Sequence, residues 1–228
     1  MMYIILPILL SLCWLAVYLS EKKNIFDQWL FPARRRVSEF FLGLTLSIAL
    51  CLLTQLFLSQ LGGRTWHLSN DISIGKLAFS LLYDVNSVVS EELLFRGIIL
   101  HFLIKYWKTR PAMLISAFAF GIYHWFTFGV WGNLMAMILV FLVTGLMGYV
   151  FAAAYVKTKS IVLIHFGWNW INNTVFSNGP NGIQVLEADK MVPLEGLNAI
   201  FSLCLYFIIP FLILAFVKSK IIQERELA

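Results

Sequence analysis

Residues 74–105 read IGKLAFSLLYDVNSVVSEELLFRGIILHFLIK. This run of leucine, isoleucine, phenylalanine and valine carries Asp84, Glu91, Glu92 and Arg96 in its interior. A helix long enough to take in all of it, at ~1.5 Å per residue, is nearly 50 Å long against a hydrocarbon core of ~30 Å. Such a helix must tilt, extend past a membrane, or break into an interfacial piece and a shorter span. An ionisable side chain at mid-bilayer costs a few kcal/mol, so this stretch calls for partners or a purpose.

The rest of the chain makes lipid the solvent. Of 228 residues, 60% are hydrophobic and 13% charged, and the mean hydropathy is +0.82. That leaves too few polar side chains to cover a water-soluble globule of this size. Only helices or closed barrels satisfy every backbone amide in hydrocarbon, so the apolar blocks are read as helices. They fall at approximately 2–20, 37–60, 74–105, 111–127, 131–156, 160–177 and 197–217. The first block has nothing basic before it and Lys22 and Lys23 after it, which fits a retained span better than a cleaved leader. The expectation is an all-α polytopic bundle of seven spans, or eight if 74–105 breaks. The chain forms a single integral membrane domain over 1–228, with its motif-bearing core at about 74–177.

Charge fixes the orientation. A net charge of +5 and a pI near 9.2 could suggest nucleic acid, but the basic residues lie in short clusters between apolar blocks, which excludes a continuous basic face. Alternate loops hold Lys22, Lys23, Arg34, Arg35 and Arg36, then Lys105, Lys108 and Arg110, then Lys157 and Lys159, then Lys218, Lys220 and Arg225. The intervening loops hold only Arg64 and Lys190. The richer side is assigned to the cytoplasm, with the N-terminus outside and the C-terminus inside. Cys13, Cys51 and Cys204 are scattered through apolar blocks without C-x-x-C spacing and are read as packing or lipid-facing residues. Small residues at Thr144, Gly148 and Ala152, and at Ala117 and Gly121, let neighbouring helices approach closely.

Three helices each carry a polar stripe. At 100° per residue Glu92 and Arg96 share a face and can pair, while Glu91 points to an adjacent face with Asp84 and Ser87. His124 closes the stretch Phe120-Gly121-Ile122-Tyr123-His124. A lone histidine in an apolar helix is more often structural, and His101 is read that way; His124 gains weight from its company. His165, Asn169 and Asn172 form a third stripe. The economical arrangement points all three stripes at one watered pocket, and carboxylate, two imidazoles and carboxamide suit amide hydrolysis. A carboxylate in a pocket of low dielectric is a better proton acceptor than one in water. Imidazole and carboxamide can hold the water, protonate the leaving amine, or donate to the oxyanion. The sequence has no G-x-S-x-G turn and no H-E-x-x-H pair, which weighs against serine hydrolase and ordinary zinc peptidase chemistry.

Glu91-Glu92-Leu93-Leu94-Phe95-Arg96 resembles E-E-x-x-x-R, Phe120 to His124 resembles F-x-x-x-H, and His165 to Asn169 resembles H-x-x-x-N. These are the ordered motifs of the CAAX-protease and bacteriocin-processing (CPBP) family of intramembrane endopeptidases. The resemblance implies that Glu91 activates water, His124 helps hold or relay its proton, and His165 with Asn169 polarises the scissile carbonyl. Glu92 and Arg96 would be a structural pair. It also implies no metal cofactor, although a glutamate with two histidines is a zinc donor set as well. The expected partners are a peptide or protein substrate and the lipid bilayer, not nucleic acid. The expected location is a bacterial plasma membrane. Two other readings use the same residues: a transporter whose polar stripes line a path, and a non-catalytic immunity or partner-binding membrane protein.

Overall fold

The computed structural model describes residues 2–62, 65–160, 165–176, 185–188, 196–219 and 221, apart from the side chains of 2–5 and 28. The chain is nearly all helical. Its elements are α1 (Met2–Glu21), α2 (Ile25–Leu30), α3 (Ala33–Gly62), β1 (Trp66–Leu68), α4 (Ile74–Glu92), a π-helical segment (Leu93–Leu100), α5 (His101–Tyr106), α6 (Thr109–Thr127) and α7 (Leu134–Thr158). There follow α8 (His165–Ile171), a second π-helical segment (Asn172–Phe176), β2 (Leu186–Ala188) and α9 (Gly196–Lys218). Among the described residues three helices, α3, α7 and α9, are long and apolar enough to cross a bilayer by themselves. Exposed Leu53, Leu56, Phe118 and Phe211 on the outward faces would be costly in water and are at home in lipid. The molecule is an integral membrane protein.

The break allowed for in 74–105 does not occur. The backbone stays right-handed helical at both junctions, with Glu92 at φ −65°, ψ −38° and His101 at φ −55°, ψ −51°. The helical run therefore passes without interruption from Ile74 to Tyr106. The side chain of Ser73 caps its start by accepting from the Lys76 backbone N–H at 3.2 Å. It ends where Trp107 turns extended.

Three elements, α2 and the two strands, fall where only loops were expected. In the 21–36 loop, Asn24 caps α2 by accepting from the Phe26 backbone N–H, and α2 buries Ile25 and Trp29 against Cys13 and Val17 of α1. The expected 37–60 helix already begins at Ala33, so Arg34, Arg35 and Arg36 ride on its first turn. Further along, Trp66–Leu68 pairs antiparallel with Leu186–Ala188, opposing Trp66 to Ala188 and Leu68 to Leu186. This ladder ties the two less basic loops together, because backbone groups beyond the helices must find partners of their own. Most of the expected 178–196 loop lies outside the described residues, as do Arg64, Lys190, Lys220 and Arg225.

The helices pack antiparallel along the chain. Between α6 and α7, the Trp125 indole donates to the Met137 carbonyl at 2.8 Å, and a Cβ on Gly148 would stand 3.0 Å from the Phe120 Cβ. Glu92 of α4 meets His165 of α8, and Asp84 of α4 meets Asn173 of the second π-helical segment. One end of the bundle gathers the Arg36 bond to the Thr158 carbonyl, the Lys157 bonds to the Val217 and Ser219 carbonyls, and the His101–Glu21 contact. The other end gathers the Trp66 bond to Ser59, the small sheet and the α6–α7 turn. The described members of the basic clusters lie at the first end, where Glu21 and Glu39 pair with some of them. A buried core of Phe95, Phe120, Val150, Phe151 and Ile213 joins the central helices.

Candidate active site

Glu91 sits 17 residues into the long helix, on the face turned to α6 and α8. Its Oε2 lies 3.6 Å from His165 Nε2 and 3.9 Å from His124 Nε2, and Glu91 Oε1 accepts from Ser87 Oγ one turn away at 3.5 Å. Among the described residues Oε2 has no hydrogen-bond donor of its own. It is an unsatisfied acceptor in a buried place, which is what a proton-accepting group for a water molecule needs to be.

Both imidazoles are oriented from behind. His124 Nδ1 donates to the Phe120 carbonyl at 2.7 Å, a bond along its own helix. His165 Nδ1 donates to Glu92 Oε1 at 2.8 Å, a bond between helices. With Nδ1 so engaged, each ring turns its Nε2 toward Glu91. Asn169, one turn beyond His165, donates through Nδ2 to His165 Nε2 at 3.3 Å. Phe151 stacks on the His165 ring with centroids 4.4 Å apart, and Phe120 lies 4.4 Å from the His124 ring. The site thus brings Glu91, His124, His165 and Asn169 within reach of one another.

Glu92 and Arg96 form the expected pair, with Arg96 Nη1 3.1 Å from Glu92 Oε1 and both side chains buried. The guanidinium also donates to the Gly148 carbonyl at 3.2 Å and lies over the rings of Phe120, Phe151 and Phe95 at 4.6, 5.2 and 5.9 Å. Glu92 therefore does more than neutralise Arg96: the same oxygen holds His165. The spacing of the sequence could not show this, since it depends on the distance between two helices far apart in the chain.

Further polar groups extend the site toward the sheet. Asp84, fully buried, accepts from Asn173 Nδ2 at 2.6 Å, and Ser80 meets Thr174 at 2.8 Å. The stripe on α8 was expected at His165, Asn169 and Asn172. The π turn that starts at Asn172 widens the spiral and brings Asn173 and Thr174 round to α4 as well. Asn172 accepts from Gln55 of α3 at 3.5 Å.

Glu91, His124, His165, Asn169, Asn172 and Asn173 border a cavity of about 680 Å³ whose walls also include Tyr83, Tyr123, Thr144, Trp168 and Tyr206. The volume suits several amino-acid residues of a peptide. Among the described residues no three or more His, Cys, Asp or Glu side chains are grouped as metal ligands.

A nearly all-helical membrane protein that encloses an acid, two oriented imidazoles and a carboxamide in such a cavity has the makings of an intramembrane hydrolase. Residues 73–171, less than half of the chain, match the family described as type II CAAX prenyl endopeptidase Rce1-like. The match covers the whole span of the three motifs and agrees with the resemblance they carry. No curated protein and no solved structure matches the chain.

Proposed function

We propose that this protein is an intramembrane endopeptidase that cleaves a peptide bond with a water molecule activated by Glu91. The observation that carries the reading is the approach of Glu91 Oε2 to within 3.6 and 3.9 Å of the two imidazole Nε2 atoms inside one cavity. A carboxylate oxygen and two imidazole nitrogens converging on one point favour a molecule that can both donate and accept hydrogen bonds, as water does. As its oxygen attacks the scissile carbonyl, one proton passes to Glu91 and from there, with His124 as relay, to the leaving amine. His165 and Asn169 face the developing oxyanion. The carboxylate of Glu92 behind His165 can balance positive charge on that ring, which the Phe120 carbonyl behind His124 cannot do.

The chain folds in this reading as one membrane domain over 1–228 with seven crossings: α1, α3, the uninterrupted helix from α4 to α5, α6, α7, α8 with its π segment, and α9. The unbroken middle helix favours seven over eight. The basic end faces the cytoplasm, and the compact, short-looped build suits a bacterial plasma membrane. The substrate is a peptide or protein held in or at the bilayer, and no metal takes part.

Glu91→Gln keeps the shape and removes the base. Mass spectrometry of peptides in membranes with and without the protein should show products that vanish with Glu91→Gln while insertion and yield persist. Equal cleavage by the variant would reject the role of Glu91. Removing divalent metals from purified protein with a chelator should leave the cleavage rate unchanged; loss restored by zinc would instead assign Glu91, His124 and His165 as ligands.

A further inference from the structure

We propose that Asn173 forms a substrate subsite, binding a main-chain amide of the peptide about three residues from the bond that is cut, and that Asp84 is the positioning residue that aims it. The inference deepens the peptidase reading and rests on it.

Asp84 is a fully buried acid for which the cleavage step has no task. Its Oδ1 accepts from Asn173 Nδ2 at 2.6 Å, from α4 across to the second π-helical segment. The next residue is pinned twice. Thr174 Oγ1 meets Ser80 Oγ at 2.8 Å, and the Thr174 carbonyl accepts from the Val185 backbone N–H at 3.1 Å. These bonds fix where the Asn173 side chain stands. Apolar side chains of like volume would join the two helices about as firmly, so the polar contacts point to a use for the carboxamide itself.

That use follows from where Asn173 lies, on the border of the cavity. A carboxamide carries two N–H donors and an oxygen acceptor. One N–H goes to Asp84, and the other N–H with the oxygen is the complement of a peptide group. The adjacent Asn172 is turned back into the protein, donating to the Trp168 carbonyl at 3.1 Å and accepting from Gln55 at 3.5 Å. Hydrolysis needs the peptide extended, because a helix ties up the scissile carbonyl in its own hydrogen bond. An extended segment away from bulk water brings N–H and C=O groups that each need a partner. The walls divide to suit it: α8 and its π segment contribute Asn169 and Asn173, while α7 and α9 contribute Met147, Phe151, Ile209 and Pro210. A peptide laid between them turns main-chain groups to the amides and apolar side chains to the far wall.

Spacing along α4 sets the register. Asp84 precedes Glu91 by seven residues on one face, about 10 Å of helix at ~1.5 Å per residue. An extended peptide covers that distance in about three residues. Asn173, held at the level of Asp84, meets the amide at that remove from the bond opposite Glu91. A substrate that stops short of it forfeits one hydrogen bond.

The probe is the peptide whose cleavage in membranes depends on Glu91, synthesised at full length and shortened one residue at a time from each end. On purified protein, Asn173→Leu should raise KM for the full-length peptide about three- to tenfold, the loss expected of one neutral hydrogen bond. Its kcat should stay within about twofold of wild type, as for a contact made equally in the ground and transition states. With wild type, KM should step up by a like factor at the shortening that removes the bound amide. With Asn173→Leu that one step should vanish while the others persist. Asp84→Ala, which lets the carboxamide swing, should weaken the same step, and Asp84→Asn, which still offers an oxygen, should restore it. A step that survives in Asn173→Leu, or a fall in kcat with KM unchanged, overturns the inference and leaves the peptidase reading in place. Should Asn173→Leu fail to insert, Asn173→Ala takes its place under the same criteria, and it decides without Asp84→Ala if that variant does not fold. A wild-type protein that cleaves no peptide defeats the peptidase reading, and the subsite with it.

Discussion

Adjacent glutamates at 91 and 92 do different work because one residue of helix turns a side chain by 100°. Glu91 faces the cavity with an unsatisfied oxygen, whereas Glu92 faces Arg96 and His165. Removing one partner of a buried pair costs about 3–5 kcal/mol, because the other charge is left without compensation in a low dielectric. Arg96→Met should therefore lower the thermal midpoint sharply in a detergent-based unfolding assay. The double variant Glu92→Gln with Arg96→Met should recover a good part of the loss; equal midpoints for wild type and Arg96→Met would remove the pairing from the account. At this scale much was legible in the sequence. The i, i+4 spacing announced the Glu92–Arg96 pair, and the three polar stripes announced which groups would meet. What it could not announce was the bond from Glu92 to His165 or from Asp84 to Asn173, since neither partner is a helical neighbour of the other.

The two helices that carry Glu91 and His165 both loosen into π geometry beyond those residues, at Leu93–Leu100 directly after the glutamates and at Asn172–Phe176 about two turns after His165. Wider turns change which side chains face inward, and this is why Asn173 joins a stripe that 3.6-residue periodicity drew through Asn172. Periodicity assumes one spiral throughout, so such a shift is invisible to it. The α6–α7 pair was more readable, because its small residues announce a close approach. A Cβ on Gly121 would stand 2.8 Å from Phe141 Cδ2 and 3.0 Å from the Phe141 carbonyl oxygen. One on Gly145 would meet only the Ala117 carbonyl, at 3.6 Å. Gly121→Ala should thus destabilise by about 1–3 kcal/mol through overpacking, while Gly145→Ala should be neutral or gain up to about 1 kcal/mol from helix propensity. Thermal midpoints of the two variants decide the matter, and reversal of their order would mean that the two helices do not pack in this register.

For the whole molecule, hydropathy located every helical block but not the short pieces at the membrane faces. Helix α2 is six residues long and the strands three each, too short to show a period, and their formation depends on partners distant in sequence. Alternation of basic loops was the most far-reaching signal, since it predicted which loops share an end, and the packing brings Arg36, Lys105 and Lys157 to one end as that alternation requires. Water let halfway into a bilayer raises a problem that no peptidase in solution meets. A hydrated shaft continued through the protein would short-circuit the ion gradients across the membrane. In the proposed reading, the layer in which Arg96 lies among Phe95, Phe120 and Phe151 would serve as electrical insulation: hydrolysis would proceed in a blind well, with the membrane potential held across its floor.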